Sequence, residues 1–160
     1  MIWREFELAA PDLARAGRER FERTSVALIG TLRPDGSPQI SPVEPYFVEG
    51  HLLLGCMARS TKARDLRRDS RCSLHSSISD VTGSEGEFQL HGRAVLVHDN
   101  ALRTADASVW WQQLPSETCD VLSVEVDAAS LVEWDIAKGE MTISTWTSAS
   151  GDRKVTRSYP

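Results

Sequence analysis

The chain has 160 residues, 41% hydrophobic and 26% charged, which is enough for one well-buried core and too few for two. Its 18 basic and 23 acidic residues give a net charge of −5, and this argues against general nucleic-acid or membrane-surface binders, which carry a basic excess. Ten Gly and seven Pro are too few for a disordered or fibrous chain, and no apolar run approaches the ~20 residues that span a bilayer.

The stretch Met1 to Leu8 has no signal-peptide core, so a cytoplasmic location is expected. The cysteines agree. Cys56, Cys72 and Cys119 are odd in number, far apart and outside any Cys-x-x-Cys pair, which argues against a disulfide framework and a structural zinc site. Three reduced, mostly buried thiols are expected.

Residues 11–23 (PDLARAGRERFER) predict a helix, with Pro11 in its first turn and Leu13, Ala16 and Arg20 on one face. Ser25 to Leu32 is apolar on both faces, the pattern of a strand covered on both sides. Arg33-Pro34-Asp35-Gly36-Ser37 supplies a hairpin turn, with Gly36 where a positive φ is needed. The return strand, Ser37 to Val48, holds Pro38, Pro42 and Pro45. Each removes a ladder donor, so part of this strand must lie at an edge or a bulge.

After the Glu49-Gly50 turn, His51 to Met57 is a third apolar strand. Ser60 to Asp69 predicts a short helix capped by Ser60 or Thr61. Arg71 to Ile78 is a fourth strand and Asp80 to Gly86 a polar loop. Glu87 to Val97 alternates, with Phe88, Leu90, Ala94 and Leu96 on one face. A second sizeable helix is expected from Asp99 or Asn100 to about Leu114, ended by Pro115. Two strands follow: Val121 to Val126, with Leu122, Val124 and Val126 facing one way, and Leu131 to Ile136, with Val132, Trp134 and Ile136 doing so. Met141 to Thr147 is a last candidate strand, and 148–160 reads as a polar tail. Six or more short strands with helices at the margins predict a mainly β, antiparallel barrel in a single domain over 1–160, with the barrel at about 24–147.

Several chemistries lack their motifs. There is no P-loop, no G-x-G-x-x-G after a strand and no G-x-S-x-G elbow. His51, His75, His91 and His98 show no metal-ligand spacing, so no metal is expected.

The informative segment is Arg59 to Arg71, RSTKARDLRRDSR. Six basic residues against two acidic ones give it a charge of +4, which leaves −9 for the rest of the chain. A compact positive site in an acidic protein suits a small anion rather than a polymer. It also opens a helix, where free backbone N–H groups and the helix dipole favour an anion. Arg59 and Lys62 flank that terminus, and a phosphate fits there. Arg64, Arg67, Arg68 and Arg71 have an ordinary alternative as a solvated helix face, which is the favoured reading for the last three.

The order of these features resembles the flavin-binding split β-barrels related to pyridoxamine 5′-phosphate oxidase. The matching parts are the opening helix, the strand–turn–strand ALIGTLRPDGSPQISPV (27–43), the apolar strand to Met57, the R-x-x-K-x-R-x-L-R-R-D run (59–69) and VEWD (132–135). The resemblance implies a six-stranded antiparallel split β-barrel of Greek-key type with peripheral α-helices. It further implies a homodimer with FMN in the groove between its subunits and a small-molecule substrate, without nucleic-acid or membrane partners. Lys62 would hold the phosphate, with Thr61 beside it and Arg59 and Arg64 as further partners. Ser41, Pro42 and Val43 would line the flavin from one strand, and Gly55, Cys56 and Met57 from the next, largely through backbone groups.

The chain departs from the authentic oxidase in having Ser41 in place of an arginine, Gly55-Cys56 in place of Tyr-Thr, and Ser60-Thr61-Lys62 in place of Ser-Arg-Lys. The resemblance therefore carries a flavin-dependent oxidoreductase of unassigned substrate rather than vitamin B6 chemistry. A deazaflavin coenzyme is the alternative, with Arg15, Arg18 or Arg20 available for its longer anionic tail. Haem ranks lower, in a non-enzymatic stress or redox-sensing protein, with His75 or His91 as ligand. In a flavin enzyme the cofactor carries the electrons, so no side-chain constellation is required and no catalytic residue is assigned. Trp110, Trp111, Trp134 and Trp146 are candidate ring contacts, with core or dimer-interface packing the favoured role for each.

Overall fold

The computed structural model of the chain describes residues 1–158. In chain order it contains α1 (Trp3–Ala9), α2 (Pro11–Thr24), β1 (Ala27–Leu32), β2 (Pro38–Val43), β3 (Pro45–Val48), β4 (His51–Met57), α3 (Thr61–Arg68), β5 (Arg71–Ser76) and β6 (Glu87–Leu96). There follow α4 (Asn100–Arg103), a 3₁₀ turn at Trp110–Gln113, β7 (Cys119–Asp135), β8 (Glu140–Thr147) and β9 (Gly151–Ser158).

The strands lie in the order β2-β1-β5-β6-β7-β4-β3, with β8 against β7 and β9 against β8. Every pairing is antiparallel. The two ends of the path, β2 and β3, are separated only by Glu44, so the sheet has to curl until its edges approach each other. This is a mainly β, antiparallel split barrel as expected, built from nine described strands rather than six.

The proline argument holds in a sharper form. Ser37 to Val48 is two strands, and they are the two ends of the sheet path, where missing donors cost no ladder bond. The turn before them closes with Gly36 at φ 83° and Arg33 N–H donating to Ser37 O at 2.9 Å.

Four other expectations are corrected. The helix expected to run to Leu114 is a single turn, α4, followed by the 3₁₀ turn. Between them the Asp106 carboxylate accepts the Ser108 N–H at 2.8 Å, and the Trp111 indole N–H donates to Arg103 O at 3.1 Å, both replacing helical bonds. The strands at 121–126 and 131–136 are one, β7, because Asp127 is taken up in a bulge opposite His91/Gly92 and the polar dip there is not a break. Beyond the bulge the buried residues are Ala129 and Leu131, whereas Val132 and Trp134 are half-buried and Ile136 is exposed. The polar tail contains β9, whose backbone groups pair with β8 even though its side chains are mostly exposed; Tyr159 and Pro160 lie outside the described residues. Ser25 to Leu32 is covered on one face only within the chain, since Leu28 is 42% exposed.

The core centres on β6, whose Phe88, Leu90 and Ala94 point inward, as its alternation requires. α2 lies across it. Phe21 stands edge-on to Phe88 with ring centroids 5.5 Å apart, and Gly17 sits so close to the Phe88 ring that a Cβ there would come within 2.6 Å of Cε1. α1, which has no clear signal in the sequence pattern, buries Trp3 and Phe6 against Phe47 and Trp146. All three cysteines are buried and unbridged.

Candidate functional site

The start of α3 is fixed by its cap. Ser60 Oγ accepts the Ala63 N–H at 3.3 Å, so Ser60 rather than Thr61 ends the helix. Ala63 and Leu66 pack inward, and the cations stand around them. Their pairing divides the +4 run into two parts. Arg67 binds the buried Asp120 carboxylate at 2.5 Å, Arg68 binds the buried Asp65 at 3.2 Å, and Arg71 binds Asp69 at 2.6 Å. Thr31 Oγ1 also donates to Asp65, at 3.2 Å. These three arginines are therefore ion-paired: Arg67 staples the helix to β7 through Asp120, and Arg68 pairs within the helix and donates to the Leu32 carbonyl of β1, instead of forming a purely solvated face. Among the described residues, Arg59, Lys62 and Arg64 make no ion pair. The unneutralised charge is thus concentrated at the helix start, where the dipole also favours an anion.

Lys62 is half-buried and donates through Nζ to the Pro42 carbonyl, tying the end of β2 to the start of α3. Ser41 is half-buried, Pro42 exposed and Val43 buried, its side chain turned into the core. On β4 the side chains alternate. Cys56 enters the barrel core, Met57 is exposed, and Gly55 lies on the outer face beneath Trp110 and Trp111. Val43 and Cys56 therefore offer only backbone groups to a ligand. Thr61 is half-buried; Arg59 and Arg64 are exposed. Lys62 thus brings Pro42 to the helix start, whereas the β4 residues are divided between two faces of the sheet.

Burial pushes the Cys56 thiol up to about 11, against the pull of the nearby Lys62 ammonium, and Cys72 up to about 12. Both stay protonated at pH 8 in the folded protein, and alkylation needs the thiolate. Iodoacetamide at pH 8 should leave Cys56 and Cys72 unmodified in the native protein and label them in urea, read by mass. Rapid native labelling of Cys56 would contradict its placement.

The other candidates are committed elsewhere. His75 Nε2 lies 3.3 Å from Glu87, and His91 Nδ1 lies 2.8 Å from Ser73 Oγ, so both are bound to neighbours on β5 and β6. On α2, Arg15 pairs with Glu19 at 3.1 Å, Arg18 with Glu22 at 2.8 Å and Arg20 with Glu133 at 3.2 Å. Trp146 is core, and Trp111 is buried above Gly55. No group of three metal-ligating side chains occurs among the described residues. A pocket of about 560 Å³ lies between α2 and the β7–β9 hairpins rather than at α3. One of its walls is β9, which has no hydrophobic periodicity to announce it.

The molecule is thus a split barrel with a cationic helix start beside a proline-rich edge strand. The family model described as pyridoxamine 5'-phosphate oxidase matches residues 13–140. The chain belongs to this family.

Solved structures of pyridoxamine 5'-phosphate oxidase-like proteins share its fold. A pyridoxamine 5'-phosphate oxidase-related, FMN-binding protein from Nostoc punctiforme is 12% identical, with a TM-score of 0.61 over 94% of this chain and 96% of that one. A haem-binding protein from Mycobacterium smegmatis is 16% identical, with a TM-score of 0.60 over 90% and 88%. A Clostridium acetobutylicum protein related to general stress protein 26 is 13% identical, with a TM-score of 0.60 over 92% and 94%. At such identities the likeness is one of fold. No curated protein gives a significant match. Among the described residues, no helix of this family member is long and apolar enough to cross a membrane.

Proposed function

We propose that this chain binds FMN and works as a flavin-dependent oxidoreductase on a small molecule, as a homodimer in the cytoplasm, with residues 1–160 forming one flavin-binding unit. The observation that carries the reading is the trio of unpaired cations, Arg59, Lys62 and Arg64, gathered where α3 begins and anchored through Lys62 to Pro42. Three cations without carboxylate partners, at the positive end of a helix, match a phosphate dianion. Two further observations fit the rest of the cofactor. Gly55 lets Trp110 and Trp111 pack directly onto β4, and the Trp110 indole keeps a buried N–H with no partner. The fold neighbour from Nostoc punctiforme is described as FMN-binding, which supports the same cofactor.

Bound flavin supplies hydride and electron transfer. The chain's own residues do the rest. Lys62, Arg59 and Arg64 hold the phosphate; the backbone at Ser41 to Val43 and Gly55 to Met57 positions the remainder; the tryptophans above Gly55 exclude water. Among these residues none is placed to act as acid or base. FMN is favoured over a deazaflavin because Arg15, Arg18 and Arg20, the cations available for a longer anionic tail, are already paired on or beside α2. It is favoured over haem because His75 and His91 are bound to neighbours on β5 and β6.

Dimerisation is supported by the outer face of the sheet. Leu28, Ile40 and Val95 project from that face and are 42%, 66% and 41% exposed. Leu28 pairs with Pro42, so a second subunit on this face would lie next to the Pro42–Lys62 contact. The three unbridged thiols suit a reducing compartment. The purified full-length protein should run at twice 17.7 kDa and show a flavin spectrum after FMN is added. A Soret band instead of a flavin band, or a colourless protein that fails to take up FMN, would sink the reading. A monomer that binds FMN tightly would remove the dimer from it.

A further inference from the structure

Three buried side-chain atoms among the described residues have no hydrogen-bond partner: Arg20 Nε, Trp110 Nε1 and Asp120 Oδ2. For Arg20 and Asp120 the deficit is partial. Other nitrogens of Arg20 bind Ala16 O and Glu133, and the second oxygen of Asp120 binds Arg67. An indole has one polar atom, so for Trp110 the deficit is complete. Elsewhere in the chain, Trp3 donates to Glu7 and Trp111 to Arg103 O. Buried donors are nearly always satisfied, and one that is not calls for a partner supplied from outside the protein.

The position of Trp110 indicates which partner. Its Cζ2 lies 2.8 Å from where a Cβ of Gly55 would stand. In an indole Cζ2 and Nε1 are both bonded to Cε2, so the edge turned toward Gly55 is the edge that carries the N–H. Gly55 is one of the residues proposed to line the flavin. Trp110 stands edge-on to Trp111, with centroids 5.7 Å apart, and Trp111 is edge-on to Tyr46 at 5.0 Å. The result is an aromatic wall with one buried, unused donor along its lower edge. Any residue larger than glycine at position 55 would collide with this wall. Trp110 also belongs to the connection from β6 to β7, whose only regular pieces are the single turn α4 and the 3₁₀ turn, so few backbone bonds oppose its movement.

We infer that Trp110 is a ring-contact residue for the cofactor, its Nε1–H donating to a carbonyl or nitrogen acceptor of the flavin ring while the indole packs against the ring. The inference rests on the flavin reading above and adds to it the residue that recognises the ring rather than the phosphate. An aromatic system rich in acceptors suits an aromatic wall that offers a buried donor. A ligand that presented only its phosphate to the α3 site would leave Trp110 as it stands.

The test is an FMN titration of the full-length wild type and Trp110→Phe, followed by flavin fluorescence. An indole in contact with a flavin quenches its emission. Wild type should therefore bind with strong quenching, and Trp110→Phe should bind about tenfold more weakly, the scale of one hydrogen bond, with emission partly recovered. Equal affinity within twofold and unchanged quenching would overturn the inference while leaving the flavin reading intact. A wild type that takes up no FMN would remove that reading, and this inference with it. Should Trp110→Phe not fold, wild-type protein with ¹⁵N-labelled tryptophan carries the test. FMN must then move the indole N–H resonance that shows a through-space contact to Gly55, and an unmoved resonance overturns the inference.

Discussion

Lys62→Ala is expected to weaken FMN binding by about 1.5–3 kcal/mol, roughly 10- to 150-fold, the scale of one charge-assisted hydrogen bond. The ammonium has three donors, of which one is used on the Pro42 carbonyl, leaving two for a phosphate. That bond also holds the side chain in place before any ligand arrives, so little rotamer freedom is lost on binding. Arg59 and Arg64 are exposed and unrestrained, and each should matter less than Lys62. The loss should shrink as salt is added, because Lys62 is only half-buried and its field is partly screened. A titration of both proteins at two ionic strengths measures this, and an unchanged affinity for Lys62→Ala would take the residue out of the site.

The second large effect concerns stability. Phe88→Ala should cost about 3–5 kcal/mol, against a total of about 5–15 for a typical domain. Phe88 is fully buried, meets Phe21 edge-on, and its ring fills the space directly above Gly17. The cavity left behind has little means of collapsing, because α2 is held on both sides of Gly17 by buried Leu13 and Phe21. Urea unfolding of the two proteins gives the difference, and a loss below about 1 kcal/mol would show that the ring is not central to the core.

Much of the architecture was legible because it depends on local patterns. The period-two alternation of Glu87 to Leu96 has its burial set by pleat geometry alone, and β6 shows it. Pro38, Pro42 and Pro45 could not serve an interior strand, and the strands that hold them are the two ends of the sheet path. Positions 99–114 misled because helix propensity there is defeated by contacts across the connection, such as the Trp111 indole to Arg103 O. β9 was illegible for the opposite reason. Its side chains are nearly all polar and exposed, so the strand owes its order to backbone pairing with β8, which leaves no trace in hydrophobic periodicity.

The site was legible in part. The charge of the Arg59–Arg71 run is a property of composition, and its place at the start of a helix follows from Ser60. Which of its cations stay free is only partly local: Arg68 and Arg71 pair with Asp65 and Asp69 in the same run, whereas Arg67 is neutralised by Asp120, fifty-three positions further along the chain. In the sequence nothing sets Trp110 apart from Trp111, Trp134 and Trp146, and its unused N–H exists only where the β6–β7 connection folds over Gly55.

The charge balance, a net −5 with a basic island of +4, is determined by the sequence by itself, together with the mainly β class and the family resemblance. The tertiary structure decided how that island is shared out. Buried carboxylates cannot remain unpaired away from water, so Asp65 and Asp120 each take an arginine, and the charge left at the helix start is that of Arg59, Lys62 and Arg64.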